Sequence, residues 1–240
     1  MPERKEKWVF PLESNPDVFN ELQQLFGVPD DLAFEDVFTL DEPDFLPRPA
    51  LAVILTFPTT PSYETRKVAS ESSRPVYTGS GDAEPVIWFR QTIHNACGFY
   101  ALLHALSNSK ARTLAAPTSL LNRLIQQSIP LPPDTRAHVL EDSPELEQAY
   151  ASVATKGDSA VPDSAEDQTD FHYICFVQSQ TDGHVYELDG NKKGPVDTGV
   201  VLPPGHDMLS PEVIAVIRRY LDQEEGNLGF NIMALVGRGG

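Results

Sequence analysis

The chain has 240 residues with 18 basic against 35 acidic side chains, a formal charge of −17, so it is long enough for one sizeable core. Its field repels nucleic acid and anionic membrane and attracts basic partners, although solubility accounts for most of that charge. No apolar run approaches a membrane span, the charged opening Met1-Pro-Glu-Arg-Lys-Glu-Lys predicts no signal peptide, and two distant cysteines predict a reducing compartment with no structural disulfide.

In chain order, Asn15-Pro16 opens a helix, with Asn as cap and Pro in the first turn; Val18, Phe19, Leu22, Leu25 and Phe26 form its apolar face before Gly27 ends it. Residues 33–39 alternate weakly like a strand, and 51–57 read as a central buried strand. A short helix is expected over 62–67, then a mobile polar loop over about 69–82. After the stretch around Cys97, residues 118–127 carry a helical pattern that Ile129-Pro-Leu-Pro-Pro133 ends, and Ser143-Pro144 starts another helix. Residues 154–170 are small, polar and acidic, too poor in apolar side chains to order themselves by burial. That composition predicts a flexible loop or linker.

The rest returns to core. Residues 171–177 read as a buried strand, 184–190 as its antiparallel partner, 210–221 as a helix with Val213, Ile214, Ile217, Tyr220 and Leu221 on one face, and 230–236 as a closing strand. This uneven alternation predicts an α/β or α+β fold, a central mixed or antiparallel sheet flanked by helices. No repeat divides the chain, so 1–240 reads as one domain, with Gly237-Arg-Gly-Gly240 a frayed end.

Chemistry concentrates in Gln91-Thr-Ile-His-Asn-Ala-Cys97-Gly-Phe-Tyr-Ala-Leu-Leu-His-Ala-Leu106, where a strand-like segment breaks into a loop and a cysteine opens an apolar helix. A thiol in a first helical turn faces unpaired N–H groups and the positive end of the macrodipole, which favour negative charge on sulfur. Asn95 or Ala96 stands as the cap, and Phe99, Tyr100, Leu102, Leu103 and Leu106 bury the helix. The Gln91 amide and the Cys97 N–H are candidate donors to the oxyanion of an acyl-transfer intermediate. A free cysteine is as readily a small apolar core residue.

Six histidines compete as base. His138, His184 and His206 lie beside turn-forming residues, His94 sits on the approach loop, and His104, seven residues along the helix, lies about 10 Å from Cys97. His172 heads a strand, sharing a face with Ile174 and Phe176, whereas Cys175 points the other way with Tyr173 and Val177 and reads as packing. The partner strand ends in Asp189, which could orient the imidazole; Glu187 on the same face competes for that role. No His-x-x-x-His or Cys-x-x-Cys spacing occurs, so no metal and no cofactor is expected.

Gln91-Thr-Ile-x-Asn-Ala-Cys97-Gly, Phe171-His172-Tyr-Ile and Asp-Gly-His-x-Tyr-Glu-Leu-Asp189-Gly together resemble the ubiquitin C-terminal hydrolases, thiol deubiquitinases. Trp8-Val-Phe-Pro-Leu-Glu-Ser-Asn-Pro16, residues 46–58, Ser143-Pro-Glu-Leu-Glu and residues 230–236 extend the likeness over nearly the whole chain, in order. The resemblance implies a papain-like cysteine-hydrolase core with a knotted backbone, to which ordinary topology rules would not lead. It implies Cys97 as nucleophile, His172 as general base, Asp189 as orienter and Gln91 as oxyanion donor. It also implies that 154–170 crosses over the active site and favours small or flexible leaving groups.

Departures from the family pattern are His94 in place of Gly or Ser, Phe99 in place of Thr, a longer His172-to-Asp189 interval and an extra residue at Phe10. The first two predict a crowded approach to the thiol. The expected partner is ubiquitin or a ubiquitin-like modifier, through a basic C-terminal tail. A monomeric enzyme is expected in the cytoplasm, with the nucleus also open. The rival readings are a non-catalytic ubiquitin-binding module and a cysteine hydrolase or acyltransferase of unrelated substrate.

Overall fold

The computed structural model describes residues 5–167, 169–223 and 229–238; the readings made on Met1–Arg4 and on Gly239 and Gly240 lie outside them. The strands are β1 (Lys7–Trp8), β2 (Leu32–Asp36), β3 (Ala50–Pro58), β4 (Ile93–His94), β5 (Phe171–Gln178), β6 (His184–Leu188), β7 (Val196–Val201) and β8 (Asn231–Gly237). The helices are α1 (Pro16–Leu25), α2 (Pro61–Ser72), α3 (Cys97–Ser107), α4 (Ala111–Leu114), α5 (Leu120–Ser128), α6 (Pro133–Glu141), α7 (Pro144–Val153) and α8 (Pro211–Asp222).

β3 is apolar at nearly every position because it is paired on both edges and covered on both faces. It lies between β8 and β5 in an antiparallel sheet of order β2-β8-β3-β5-β6-β7, with Ile54 opposite Cys175 on one side and Met233 on the other. The sheet is thus antiparallel, the second of the two arrangements the sequence left open. Alternation along the strands divides the interior. Ala52, Ile54, Tyr173, Cys175 and Val177 face a core built with α1, α3, α5 and α7, while Val53, Leu55, Phe57, Ile174 and Phe176 face a second under α8.

Helix starts follow their caps. Asn15 accepts the Asp17 N–H at 2.9 Å and Ser143 that of Leu146 at 3.2 Å, each with proline in the following turn. Ser210 precedes Pro211 without a side-chain cap bond; its Oγ accepts from Asp207 N–H at 2.8 Å. Two helices differ from expectation. α2 runs to Ser72, started by Thr60, which accepts the Tyr63 N–H at 3.0 Å, and supported by Glu64–Lys67 and Glu71–Arg74 ion pairs. α5 ends at Ser128, before Ile129-Pro130 as expected, but the following Pro132-Pro133-Asp134, read as loop, begins α6, with Pro133 at its first position. The parallel contact of β1 with β4 and the edge strand β7 carry too little apolar patterning to be read from sequence.

The segment leading to Cys97 is anchored by a buried cation. Arg136 is fully buried on α6, donates to the carbonyls of Ser128, Trp88 and Leu131 at 3.1, 2.8 and 3.0 Å, and pairs with Glu84. Glu84 also accepts from Tyr77 Oη at 3.0 Å. Substituting Arg136→Met leaves a buried carboxylate and several carbonyls unpaired, so urea unfolding should show a loss of about 3–5 kcal/mol. A loss below about 1 kcal/mol would mean that surface-like solvation suffices there.

Candidate active site

Cys97 is the first residue of α3, a helix buried along its whole length, so the thiol has a rigid mount. Ala96 is the N-cap residue and offers no side-chain bond. Asn95 is therefore not the cap that the sequence allowed. It sits at φ 59, a left-handed conformation that Asn tolerates, and its amide turns outward to donate to the carbonyls of Ala165 and Asp167, each at 2.8 Å. Gly98 lets the helix start close on the sheet, because a Cβ there would stand 3.3 Å from Leu12 Cβ and 3.5 Å from the Tyr173 ring.

His172, at the start of β5 and opposite Phe57 of β3, makes a 2.9 Å contact from Nε2 to Asp189 Oδ1. That leaves Nδ1 for a second partner, and after Asp189 the Cys97 thiol is the group that acts on the imidazole most. Burial by itself would lower the imidazole pKa, but the Asp189 charge and hydrogen bond, with Cys97, raise it above the ordinary 6.5. Burial likewise would raise Asp189, and the His172 charge and hydrogen bond outweigh it, holding the carboxyl below the ordinary 3.8. Glu187 does not compete, since Lys192 Nζ and Tyr220 Oη both donate to it.

Asp189 is fixed from three directions. Its Oδ1 accepts the Asn191 N–H at 2.8 Å, and its backbone carbonyl accepts Trp88 Nε1 at 3.0 Å. Gly190 brings the Gln91 loop against it, with the Gln91 N–H donating to the Gly190 carbonyl at 2.9 Å; a Cβ on Gly190 would lie 2.8 Å from Gln91 Cβ. The Gln91 side chain donates to its own loop at Ile93 O, 3.1 Å, and its Oε1 is buried without a partner. Gln91 is thus beside Asp189, with one amide donor engaged locally.

A groove of about 390 Å³ reaches Cys97, walled by Glu13, Thr56, Ser159, Val161 and Phe171. Residues of 154–170 form one wall of it, so that segment passes beside the thiol. Polar bonds rather than burial fasten it: Ser159 N–H to Glu13 Oε2 at 2.7 Å, Thr59 N–H to Asp170 O at 2.7 Å, a surface Lys156–Glu21 pair, and the Asn95 amide. Among the described residues no group of three or more His, Cys, Asp and Glu is placed to hold a metal.

The predicted crowding is not what the geometry shows. Phe99 is buried against Phe26, Tyr100 and Tyr150, and His94 stacks on Trp8 at 3.9 Å. His104 is buried, accepts the Phe89 N–H at 2.9 Å, and has its pKa pushed down to about 3 by burial. His184 and His206 pair with Asp197 and Glu212 at 2.9 and 3.2 Å. His138 lies on α6, and Cys175 is fully buried, its thiol pushed well up by desolvation. Sequence reasoning missed Asn95 as a loop anchor because its expected capping role masked it. It also missed Tyr63, whose ring lies 6.3 Å from that of His172, because nothing local links α2 to β5.

Residues 8–222 match the family model described as ubiquitin carboxyl-terminal hydrolase, family 1. Similar proteins include ubiquitin carboxyl-terminal hydrolase 3 of Arabidopsis thaliana, 32% identical over 95% of this chain and 94% of that one. Ubiquitin carboxyl-terminal hydrolase YUH1 of Saccharomyces cerevisiae is 37% identical over 95% of each. The catalytic domain of Trichinella spiralis UCH37, solved bound to ubiquitin vinyl methyl ester, superposes with a TM-score of 0.73 at 24% identity, covering 98% of this chain and 97% of that one.

The charged pair links pH to stability in both directions. His172, raised above 6.5, contributes stability that is complete below that value and lost as pH rises through the raised pKa. Asp189, lowered below 3.8, contributes stability present above that value and lost as pH falls through the lowered pKa. In Asp189→Asn, burial is left opposed only by Cys97, so the imidazole titration midpoint read by ring NMR should fall by about 1–3 pH units. An unchanged midpoint would assign the raised pKa to Cys97 alone.

Proposed function

This chain belongs to ubiquitin carboxyl-terminal hydrolase family 1, the cysteine-type hydrolases of ubiquitin's C-terminus, and we propose that it runs that reaction with Cys97, His172, Asp189 and Gln91. The observation that carries the assignment is the imidazole held on one nitrogen by Asp189 and acted on by a thiol that opens a buried helix beside a groove.

Cys97 passes its proton to His172 as its sulfur attacks the carbonyl carbon of the terminal glycine, and the carbonyl electron pair moves to oxygen. The oxyanion is held by the Cys97 N–H and by the Gln91 amide, whose second N–H remains for it once substrate is seated. His172 gives its proton to the leaving amine, the C–N bond breaks and a thioester remains. Water, deprotonated by His172, attacks the thioester, and collapse releases the carboxylate and restores the thiol. Asp189 keeps the imidazole in the tautomer and plane both steps need.

Substrate selection follows from the groove. Glu13 is held ionised, because hydrogen bonds from Ser159 and Asn15 outweigh the effect of burial, and it lines the path a basic tail would take. The 154–170 segment leaves room for an extended chain, so small or flexible leaving groups are favoured over folded ones. We extend the proposal to a monomer acting in a reducing, cytoplasmic setting, with which its two free cysteines agree.

The test is release of a fluorophore and of a folded protein from the ubiquitin C-terminus. Wild type should cleave the fluorophore, and Cys97→Ser should lose turnover by at least about 10³-fold while still binding ubiquitin. Asn95→Gly, which keeps the left-handed backbone and removes the amide, should raise the ratio of folded-adduct to fluorophore cleavage several-fold. Binding without turnover by wild type would overturn the hydrolase reading, and an unchanged ratio would overturn the loop's part in it.

A further inference from the structure

Tyr63 and Asp189 share an unfinished hydrogen bond. The Asp189 carboxylate accepts both of its bonds on Oδ1, from His172 Nε2 at 2.9 Å and from Asn191 N–H at 2.8 Å. Its Oδ2 is buried with no partner, and so is the Tyr63 hydroxyl. The ring that carries that hydroxyl lies 6.3 Å from the imidazole that Asp189 holds, and Asp189 is the foremost of the charges acting on it. A buried donor and a buried acceptor left apart in a low-dielectric site each carry a desolvation cost that one bond between them would remove.

The placement of Tyr63 is not loose. Thr60 caps α2 through the Tyr63 N–H itself at 3.0 Å, and the ring meets Phe57 edge-on at 4.8 Å. Phe57 is in turn edge-on to the imidazole at 5.7 Å and is its cross-strand partner. Lys67 Nζ lies 5.4 Å from the Tyr63 ring centroid and is paired with Glu64. Glu187, the other buried carboxylate nearby, is already bound by Lys192 and Tyr220. Burial, then the charges of Asp189, Glu187 and Glu64, drive the phenol pKa far up, so Tyr63 keeps its proton to donate.

Resting on the reading of His172 and Asp189 as the catalytic pair, we propose that Tyr63 is a positioning residue of that pair. Its O–H donates to Asp189 Oδ2 after a small rotation and holds the carboxylate in the plane of the imidazole. A phenylalanine would fill the same space and pack on Phe57 equally well, so the hydroxyl has no packing role to explain it. Tyr63 touches neither substrate nor thiol; its effect passes through Asp189 to the orientation of His172.

Tyr63→Phe removes one oxygen and is the direct test. On ubiquitin–fluorophore, kcat should fall about tenfold with KM unchanged, as for a lost hydrogen bond to a charged group that matters in the transition state. The downfield proton resonance of the His172–Asp189 hydrogen bond should shift upfield or broaden, a change that loss of packing alone would not produce. Tyr220→Phe, whose hydroxyl serves Glu187, should leave that resonance in place. Wild-type kcat and resonance in Tyr63→Phe would overturn the proposal, as would an equal effect from Tyr220→Phe. Asp189→Asn separates the two levels: if it lowers kcat while Tyr63→Phe does not, only the role of Tyr63 fails, and if it too leaves kcat unchanged, the catalytic pair and the proposal fail together.

Discussion

The 2.9 Å contact between His172 and Asp189 is the constraint on which the rest depends. Both residues are almost completely buried, at 5% and 1% exposure, and a charge removed from water costs several kcal/mol unless matched by an opposite charge and hydrogen bonds. The match is built from distant parts of the chain: the antiparallel pairing of β5 with β6, the Asn191 amide, the Trp88 indole and the Gln91 loop closed over Gly190. His172, then the Lys192 charge and the Asn191 amide, keep the carboxylate ionised against burial, while the Trp88 indole and the Gln91 loop hold the backbone that carries it. The ionised carboxylate, in turn, raises the pKa of the imidazole against the effect of burial.

Once the pair is fixed, the thiol has one place to stand. α3 is pressed against β5 by the absence of a side chain at Gly98, and the segment before it is tied down by Arg136 and Glu84. The helix, the sheet and the buried ion pair are thus parts of one mount, in which α6 holds the segment before Cys97 through the Trp88 carbonyl. The loop over 154–170 is fastened quite differently, by exposed polar bonds and one surface ion pair, which are individually weak. A rigid site beside a lightly held strap suits a reaction that must admit a chain end and then exclude water.

Much of this was legible in the sequence. The cysteine before Gly98, the alternation that sends His172 and Cys175 to opposite faces, and the Asp-Gly pair ending the hairpin are local patterns with local physical causes. Where sequence left a choice between Asp189 and Glu187, only the structure could decide, because Lys192 and Tyr220 claim Glu187 from other elements. The same holds for α6, where prolines that can stop a helix start one, and for Asn95, whose amide serves a loop 70 residues away instead of its own helix. The burial of Arg136 and the approach of the Tyr63 ring to His172 left no local trace at all, since they exist only when separate segments meet.

The central claim, that Cys97 is the nucleophile of a ubiquitin-directed site, is tested most directly with ubiquitin whose C-terminal carboxylate is replaced by an electrophile. Incubated with the intact protein and digested, it should yield one equivalent of adduct on the peptide containing Cys97, none on that containing Cys175, and far slower capture in His172→Ala. Capture at Cys175, or capture at Cys97 no faster than by the same electrophile without ubiquitin, would contradict the account.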